Sequence, residues 1–461
     1  MSANATSRLG RFLQNALPNP FTIAILLTFL VMILALIFTH GELSLGNRLV
    51  VIAESWQSGL WNQGGLVFAM QMMLMLVLGH IMALSRPFDR LINKATGFFH
   101  DNASAAALVS FLTIAVALFN WGLALVFGAI LARKTAESAT RRRIPLNYPL
   151  IAAAGYSGLM VWHGGISGSA PITAADPGAL KALVAGSMDT SNLPESVTFE
   201  ETVFSTMNLV VSALCLILIP LAMYWLAKRS TPDMPDVQAA PIDKEELSVS
   251  GAERISHTSW FGILTGGMIL LFVLRQSWVH LSEQGDSGFI TPDFINLLLF
   301  GTCLILHRNI HRFLKALDQA IGGASGILIQ FPLYFGILGI LSGTGMLRDF
   351  SEGVLAVSNA DTFPFITFLS AGITNILVPS GGGQWAVQGP VVIDAANNLG
   401  VSNGKAIMAL SYGDQLTNML QPFWALPLLA ITGLRAQDIL PYTVYLMLVG
   451  GTIFTVGLLL F

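Results

Sequence analysis

One carboxylate stands deep inside an uncharged stretch of this 461-residue chain: Asp414, within Ala406–Leu434. An ionised carboxyl at membrane depth costs roughly 2.5–3.5 kcal/mol. It therefore calls for a cation, a proton or a partner. Gln415 and Asn418 stand beside it, and Pro422 interrupts the helix just beyond. Backbone carbonyls freed at that break, with Asn418, can complete an oxygen cage for sodium; alternatively the carboxyl carries a proton. His163, beside Gly164-Gly165, marks a second interruption in Ile144–Ala175 and suits proton or substrate contact. Two more uncharged segments carry polar breaks at their centres. Asn102–Ala132 holds Asn120-Trp121-Gly122, and Thr362–Ile393 holds Asn375 and then Pro379-Ser380-Gly381-Gly382-Gly383-Gln384. Where a helix restarts after such a break, its first N–H groups are unpaired and its dipole end is positive. That suits a carboxylate or a phosphate. Glycines let backbone approach a ligand closely, and Asn120, Asn375, Ser380 and Gln384 add side-chain hydrogen bonds.

The elements that must hold these groups are membrane helices. Hydrophobic residues make up 54% of the chain and charged residues 11%, against about 25% charged in soluble domains. Uncharged runs of span length cover Phe21–Thr39, Gly65–Leu84, Val203–Ala227, Trp260–Leu274, Phe294–Leu306, Gly322–Met346 and Leu440–Phe461. Arg48–Trp61 and Arg308–Gln319 are amphipathic and read as interfacial. The net charge of −3 gives no reason to expect a nucleic-acid partner. Cys215 and Cys303 both lie in apolar runs and read as small core residues, and no cofactor motif is present. The first apolar run is span-length with no cleavage pattern after it, so no cleavable leader is expected.

The two tip-bearing segments are too long for one untilted span and, by uncharged length, too short for two. Arg86, Arg90 and Lys94 precede the first, and Arg133, Lys134 and Arg141–Arg143 follow it. The excess of positive charge on cytoplasmic loops puts both flanks on one side. The expectation is a re-entrant hairpin, 102–132, followed by a broken helix, 144–175. The pattern recurs as hairpin 362–393 and broken helix 406–434. Asn375 lies 255 positions after Asn120, while Tyr412 and Pro427 each lie 256 after Tyr156 and Pro171. Five crossings separate the units, so the second is inverted. The predicted fold is an all-α polytopic membrane protein with about nine transmembrane helices plus two re-entrant hairpins in two inverted repeats. The first repeat covers 1–227, a polar cytoplasmic linker 228–259, a connecting span 260–274 and the second repeat 294–461. With the N-terminus cytoplasmic and the C-terminus periplasmic, only Arg48, Lys181, Arg275, Arg348 and Lys405 of the 23 Lys and Arg residues fall outside. Inverted repeats whose broken helices meet at the midplane characterise secondary transporters. An intramembrane enzyme would want a Ser–His or Ser–Lys pair, two aspartates or a zinc motif, and none is present.

At these residues the chain resembles the short-chain fatty acid transporter family, the bacterial acetoacetate and butyrate uptake type, over nearly its whole length. The resemblance is carried by Phe119-Asn120-Trp121-Gly122, Gly164-Gly165-Ile166-Ser167-Gly168-Ser169 and Val378-Pro379-Ser380-Gly381-Gly382-Gly383. Trp385-Ala386-Val387-Gln388-Gly389-Pro390 and Gln421-Pro422-Phe423-Trp424-Ala425-Leu426-Pro427 complete it. It implies a small organic monocarboxylate as substrate, coupling to sodium or protons, an elevator-type motion, a homodimer and a bacterial inner membrane. It adds Ser167, Gln421 and Pro422 to the substrate-site candidates. Dicarboxylate transporters and sodium/proton antiporters of the wider ion-transporter superfamily are the alternatives.

Overall fold

The structure, a computed structural model, describes residues 20–39, 43–183, 193–234, 251–283, 285, 288–346, 349, 357–377 and 380–461. Pro379, Arg348 and the 235–250 part of the expected linker lie outside the described residues. The chain is 82% helical. Among the described residues the only β-pairing is an isolated bridge between Asn147 and Asp233.

Among the described residues twenty α-helices follow one another: α1 (Pro20–Phe38), α2 (Leu45–Leu60), α3 (Gln63–Ala83), α4 (Arg86–Ala95), α5 (Asn102–Phe119), α6 (Trp121–Arg142), α7 (Tyr148–Tyr156), α8 (Ser169–Ala175), α9 (Ala179–Leu183) and α10 (Thr206–Arg229). Then come α11 (Arg254–His257), α12 (Ser259–Glu283), α13 (Pro292–His307), α14 (Ile310–Ala320), α15 (Ser325–Gly343), α16 (Phe363–Leu377), α17 (Gly381–Leu399), α18 (Asn403–Thr417), α19 (Pro422–Thr432) and α20 (Ala436–Leu460). Among the described residues six helical stretches are long and apolar enough to cross a membrane, and α5 is one of them. The chain is a multi-pass membrane protein. Leu271, Phe272 and Trp278 on α12 are 67%, 63% and 75% exposed, which apolar side chains tolerate where lipid is the solvent.

The expected spans coincide with helices, but charge misplaces several ends. α12 runs through Arg275 to Glu283, and α6 runs through Arg133 and Lys134 to Arg142. The first tip-bearing unit is therefore two helices of 18 and 22 residues, about 27 and 33 Å long. This corrects the length argument: each arm matches the hydrocarbon thickness, and α5 qualifies as a span by itself. What shows the hairpin is how its ends meet. The Arg142 guanidinium at the end of α6 donates to the Thr96 and Phe99 carbonyls just before α5, and lies 4.8 Å from the Phe99 ring centroid. A capping box at Asp101 and Ser104 starts α5, and Asn120 alone separates the arms.

The second hairpin, α16 and α17, opens toward the other end of the molecule. Asn102 Nδ2 at the first hairpin's open end donates to Ala227 O, near the C-terminal end of α10. Gly404, at the start of α18 and just after α17, lies against Glu201, which precedes α10. α10 has 24 residues, about 36 Å, and it separates the two openings. α3 and α13 run parallel: Asn296 Nδ2 donates to Gln71 O, Cys303 Sγ to Leu78 O, and His307 Nε2 bonds Ile81 O.

Candidate functional site

Both interrupted helices break into short 3₁₀ turns. The first runs α7, Ser157–Met160, Trp162–Gly164 and α8; the second runs α18, Asn418–Leu420 and α19. Freed backbone groups there need partners. Side chains from the opposite break and the hairpin tips supply them. Gln415 Oε1 accepts from His163 N at 2.9 Å and Gly164 N at 3.3 Å. Tyr156 Oη donates to Asn418 O, and Asn418 Nδ2 to Leu159 O. Asn208 on α10 donates to the Gly164 and Val203 carbonyls and accepts from Tyr412 Oη. The first tip joins this lattice through Ile166 N to Leu118 O and Trp121 N to Ser167 Oγ, both 3.0 Å.

Asp414 is not isolated. Its Oδ2 lies 2.8 Å from His163 Nδ1, and both side chains are fully buried. Ala170 N–H donates to His163 Nε2 at 2.9 Å, so that nitrogen keeps its lone pair. The single ring proton sits on Nδ1 and is given to Asp414. The imidazole is neutral, and among the described residues the carboxyl's other oxygen, Oδ1, has no partner. No hydrogen bond joins Asp414 to Asn418 among the described residues: Asn418 Nδ2 donates to Leu159 O, and its Oδ1 accepts from Asn375. The Gln415 oxygen is likewise committed to two backbone N–H groups.

The two tip asparagines are used in opposite ways. Asn120 Oδ1 caps α6 by accepting from Leu123 N at 2.7 Å, while its Nδ2 is buried with no partner. Asn375 Nδ2 donates to Asp414 O, Thr417 Oγ1 and Asn418 Oδ1, while its Oδ1 is buried with no partner. The sequence explains the reversal. In the first unit, Gly158, Val161 and Trp162 occupy the positions of Asp414, Thr417 and Asn418, and two side-chain acceptors vanish. In the second unit, Ser380 takes over the cap, accepting from Gly383 N at 3.2 Å. Around the tips and breaks, the unpartnered buried atoms of the first unit are donors (Asn120 Nδ2, Trp121 Nε1, Trp162 Nε1), while those of the second are acceptors (Asn375 Oδ1, Gln384 Oε1, Asp414 Oδ1, Gln421 Oε1) with one donor, Trp385 Nε1, among the described residues. The first set suits an anion and the second a cation or a proton donor.

A cavity lies between the tips, lined by Trp121, Trp162, Trp424, Ser380, Gly381, Gly382, Asn418, Ser169, Met72, Leu159, Ile327 and Phe331. Its volume is ≈ 20 Å³, room for about one water. A larger ligand enters only if a tryptophan or the second tip moves. Gly381 packs onto Trp162 so closely that a Cβ there would lie 2.7 Å from the ring. The Trp121 ring centroid lies 5.6 Å from that of Trp162, tilted against it, and 5.6 Å from that of Trp424, edge to face, which makes an aromatic wall. Asn120, His163, Asn375, Gln384, Gln421 and Asp414 lie behind this lining. Gln384 Nε2 ties the second hairpin's arms together through Ala371 O, and Gln421 Nε2 donates to Asn375 O. Gly122 packs against the backbone of α3 at Leu76. Pro422 begins α19. Sequence marks Tyr412 only as the repeat counterpart of Tyr156 and does not single out Asn208; Asn208 is a lone amide inside the apolar run Val203–Ala227, the one signal that marks it.

Two helical hairpins, two broken helices and a shared cavity place the chain among membrane transporters by fold. It superposes on the Alcanivorax borkumensis YdaH transporter with a TM-score of 0.56 and 15% identity, covering 95% of this chain and 98% of that one. It superposes on Neisseria gonorrhoeae MtrF, described as belonging to a class of antimetabolite efflux pumps, with a TM-score of 0.60 and 15% identity over 98% and 97% of the chains. The chain belongs to the short-chain fatty acid transporter family, whose sequence model matches residues 1–461. It is 35% identical over 464 residues to a protein of Escherichia coli (strain K12) named as a candidate short-chain fatty acid transporter, covering 98% of each. A protein of the same description from Haemophilus influenzae is 33% identical, over 98% of this chain and 99% of its own.

Proposed function

We propose that this protein is a cation-coupled secondary transporter of short-chain monocarboxylates such as butyrate and acetoacetate. It works across a bacterial inner membrane by an elevator-type motion, as a homodimer. The observation that carries the reading is the reversal of the two tip amides. Asn120, Trp121 and Trp162 offer N–H groups toward one carboxylate, and the tryptophans with Trp424 supply an apolar wall for a short acyl chain. Among the described residues no Arg or Lys lines the cavity between the tips, so a second carboxylate has no counter-charge there. Asp414 Oδ1, Asn375 Oδ1 and Gln421 Oε1 offer oxygen to sodium, or Asp414 takes a proton. Binding the cation neutralises Asp414, whose charge otherwise opposes movement through an apolar barrier.

Uptake of labelled butyrate and acetoacetate into proteoliposomes, with sodium and proton gradients imposed separately, tests this. Asn120→Ala removes a hydrogen bond to a charged group, worth ~1.5–3 kcal/mol, so half-saturation should rise roughly 10–150-fold with normal expression. No uptake of either acid under any gradient sinks the substrate assignment, and unchanged half-saturation in the variant moves the carboxylate elsewhere.

The hairpins are read as re-entrant, in two inverted repeats, with the N-terminus cytoplasmic and the C-terminus periplasmic. The support is the opposite openings of the two hairpins along α10 and the charge distribution. Single cysteines at Arg90, Arg142 and Lys315 should react with impermeant reagent only from the cytoplasm, and one at Glu195 only from outside. Labelling of the Arg90 and Arg142 positions from opposite faces defeats the re-entrant reading.

A further inference from the structure

The side of the molecule where α3 and α13 both end carries a second concavity, which shares no lining residue with the cavity between the tips. Its volume is ≈ 530 Å³. Five cations line it: Arg86 and Arg90 on α4, Arg308 at the end of α13, and Arg312 and Lys315 on α14. None of their charged groups has an ion pair or a hydrogen bond among the described residues. The Arg86 and Arg308 charges both bear on Arg312. Helix C-termini attract cations and cytoplasmic loops are rich in them. Those two tendencies account for scattered positive residues, but they do not explain five converging on one hollow without a single carboxylate.

The floor is apolar, formed by Leu84, Pro87, Ile305 and Leu306, and Leu91 and Leu314 on the flanking helices are exposed. Cations above apolar helix ends, at the boundary of two spans, match a phosphate headgroup whose acyl chains run down the helices.

We propose that this hollow binds the phosphate of an anionic phospholipid, which joins α4 to α14 by neutralising their mutual repulsion. The ligand chemistry is a phosphodiester held by guanidinium forks, and the lipid is its source because the apolar floor accommodates acyl chain. The proposal is independent of which solute the tips carry.

The test uses the full chain in detergent, with phosphatidylglycerol, phosphatidylcholine or inorganic phosphate added at equal phosphorus concentration. Retained lipid is read by native mass spectrometry and stability by thermal unfolding. Phosphatidylglycerol should be retained and stabilising, while phosphatidylcholine and inorganic phosphate should do neither. In Arg86→Gln/Arg312→Gln, phosphatidylglycerol affinity should fall roughly thirtyfold, the worth of two cations at an anionic surface. Arg141→Gln, an exposed cation outside the hollow, should bind like the wild type. Undiminished retention in the double variant overturns the site. An equal loss in Arg141→Gln overturns it in favour of bulk charge, and stabilisation by inorganic phosphate alone overturns the lipid as its source. If the double variant unfolds, Arg86→Lys/Arg312→Lys replaces it: keeping charge but losing the fork, it should show intermediate affinity, and affinity as low as that of an uncharged pair would overturn recognition by charge.

Discussion

Asp414→Asn should abolish accumulation of substrate against a gradient while leaving exchange of internal for external substrate largely intact. The protons around His163 set this outcome. Because Ala170 N–H fills Nε2, His163 donates through Nδ1 and does not neutralise Asp414 by becoming imidazolium. Protonating Nε2 would set two N–H groups against each other in a fully buried site. Oδ1 has no donor among the described residues, and under the proposed coupling a cation or a proton meets it before the tips move. The asparagine amide keeps an acceptor for the Nδ1–H, so the two broken helices stay joined, but it no longer demands a counter-ion. Movement then proceeds without the driving ion, and the steady-state ratio should collapse toward one. A tenfold gradient represents about 1.4 kcal/mol, so even modest wild-type accumulation gives a clear loss. Sodium-dependent thermal stabilisation of the wild type, absent in the variant, selects sodium; its absence in both selects the proton. Wild-type accumulation by the variant makes Asp414 a structural residue.

Much of this arrangement was legible in the sequence, for a physical reason. Membrane interiors forbid unsatisfied backbone, so Asn120, Gly164-Gly165, Ser380–Gly383 and Pro422 could sit at span depth only as breaks, and the structure breaks at each of them. The ends of the elements were less legible. α6 continues ten residues past Ala132 because Arg133, Lys134 and Arg142 are good helix formers whose charges find partners: Arg133 with Glu137, Lys134 with Asp89, Arg142 with the carbonyls before α5. Uncharged length measures where charge is excluded, not where helix stops.

The pairing of His163 with Asp414 spans 251 residues, and nothing in either segment alone points to the other. The repeat offset sets Asp414 opposite Gly158, not His163, so symmetry pointed away from the pair. The opposite use of Asn120 and Asn375 was hidden for a related reason. The residues are identical, and their difference comes from neighbours on the broken helices that become neighbours only in the fold. Asn208 is the clearest omission. It lies on a helix outside both breaks, yet it closes the first one and links it to Tyr412 of the second unit.

Gly165→Ala should abolish transport while Gly267→Ala leaves it unchanged. Gly165 sits between the first break and the first tip, and a Cβ there would lie 2.3 Å from Leu118 O and 2.7 Å from the Leu118 carbonyl carbon and Cα. These are backbone atoms at the end of α5, so no side-chain rotation relieves the clash, and the break and the tip must part. That separation strains the Ile166 N–H to Leu118 O bond and the neighbouring Trp121 N–H to Ser167 Oγ bond, both 3.0 Å. Overpacking of this kind costs ~1–3 kcal/mol, and each buried donor left unpaired adds roughly 1–3 kcal/mol. The loss falls on the joint that positions Asn120, Trp121 and His163. At Gly267 a Cβ meets nothing within 4 Å, and alanine is the better helix former. Uptake, membrane abundance and unfolding temperature measured together separate the possibilities. A Gly165→Ala protein that reaches the membrane, melts lower and fails to transport matches the close junction of tip and break. One that transports like the wild type shows that tip and break do not need this contact, and the anion cradle built on it fails with it.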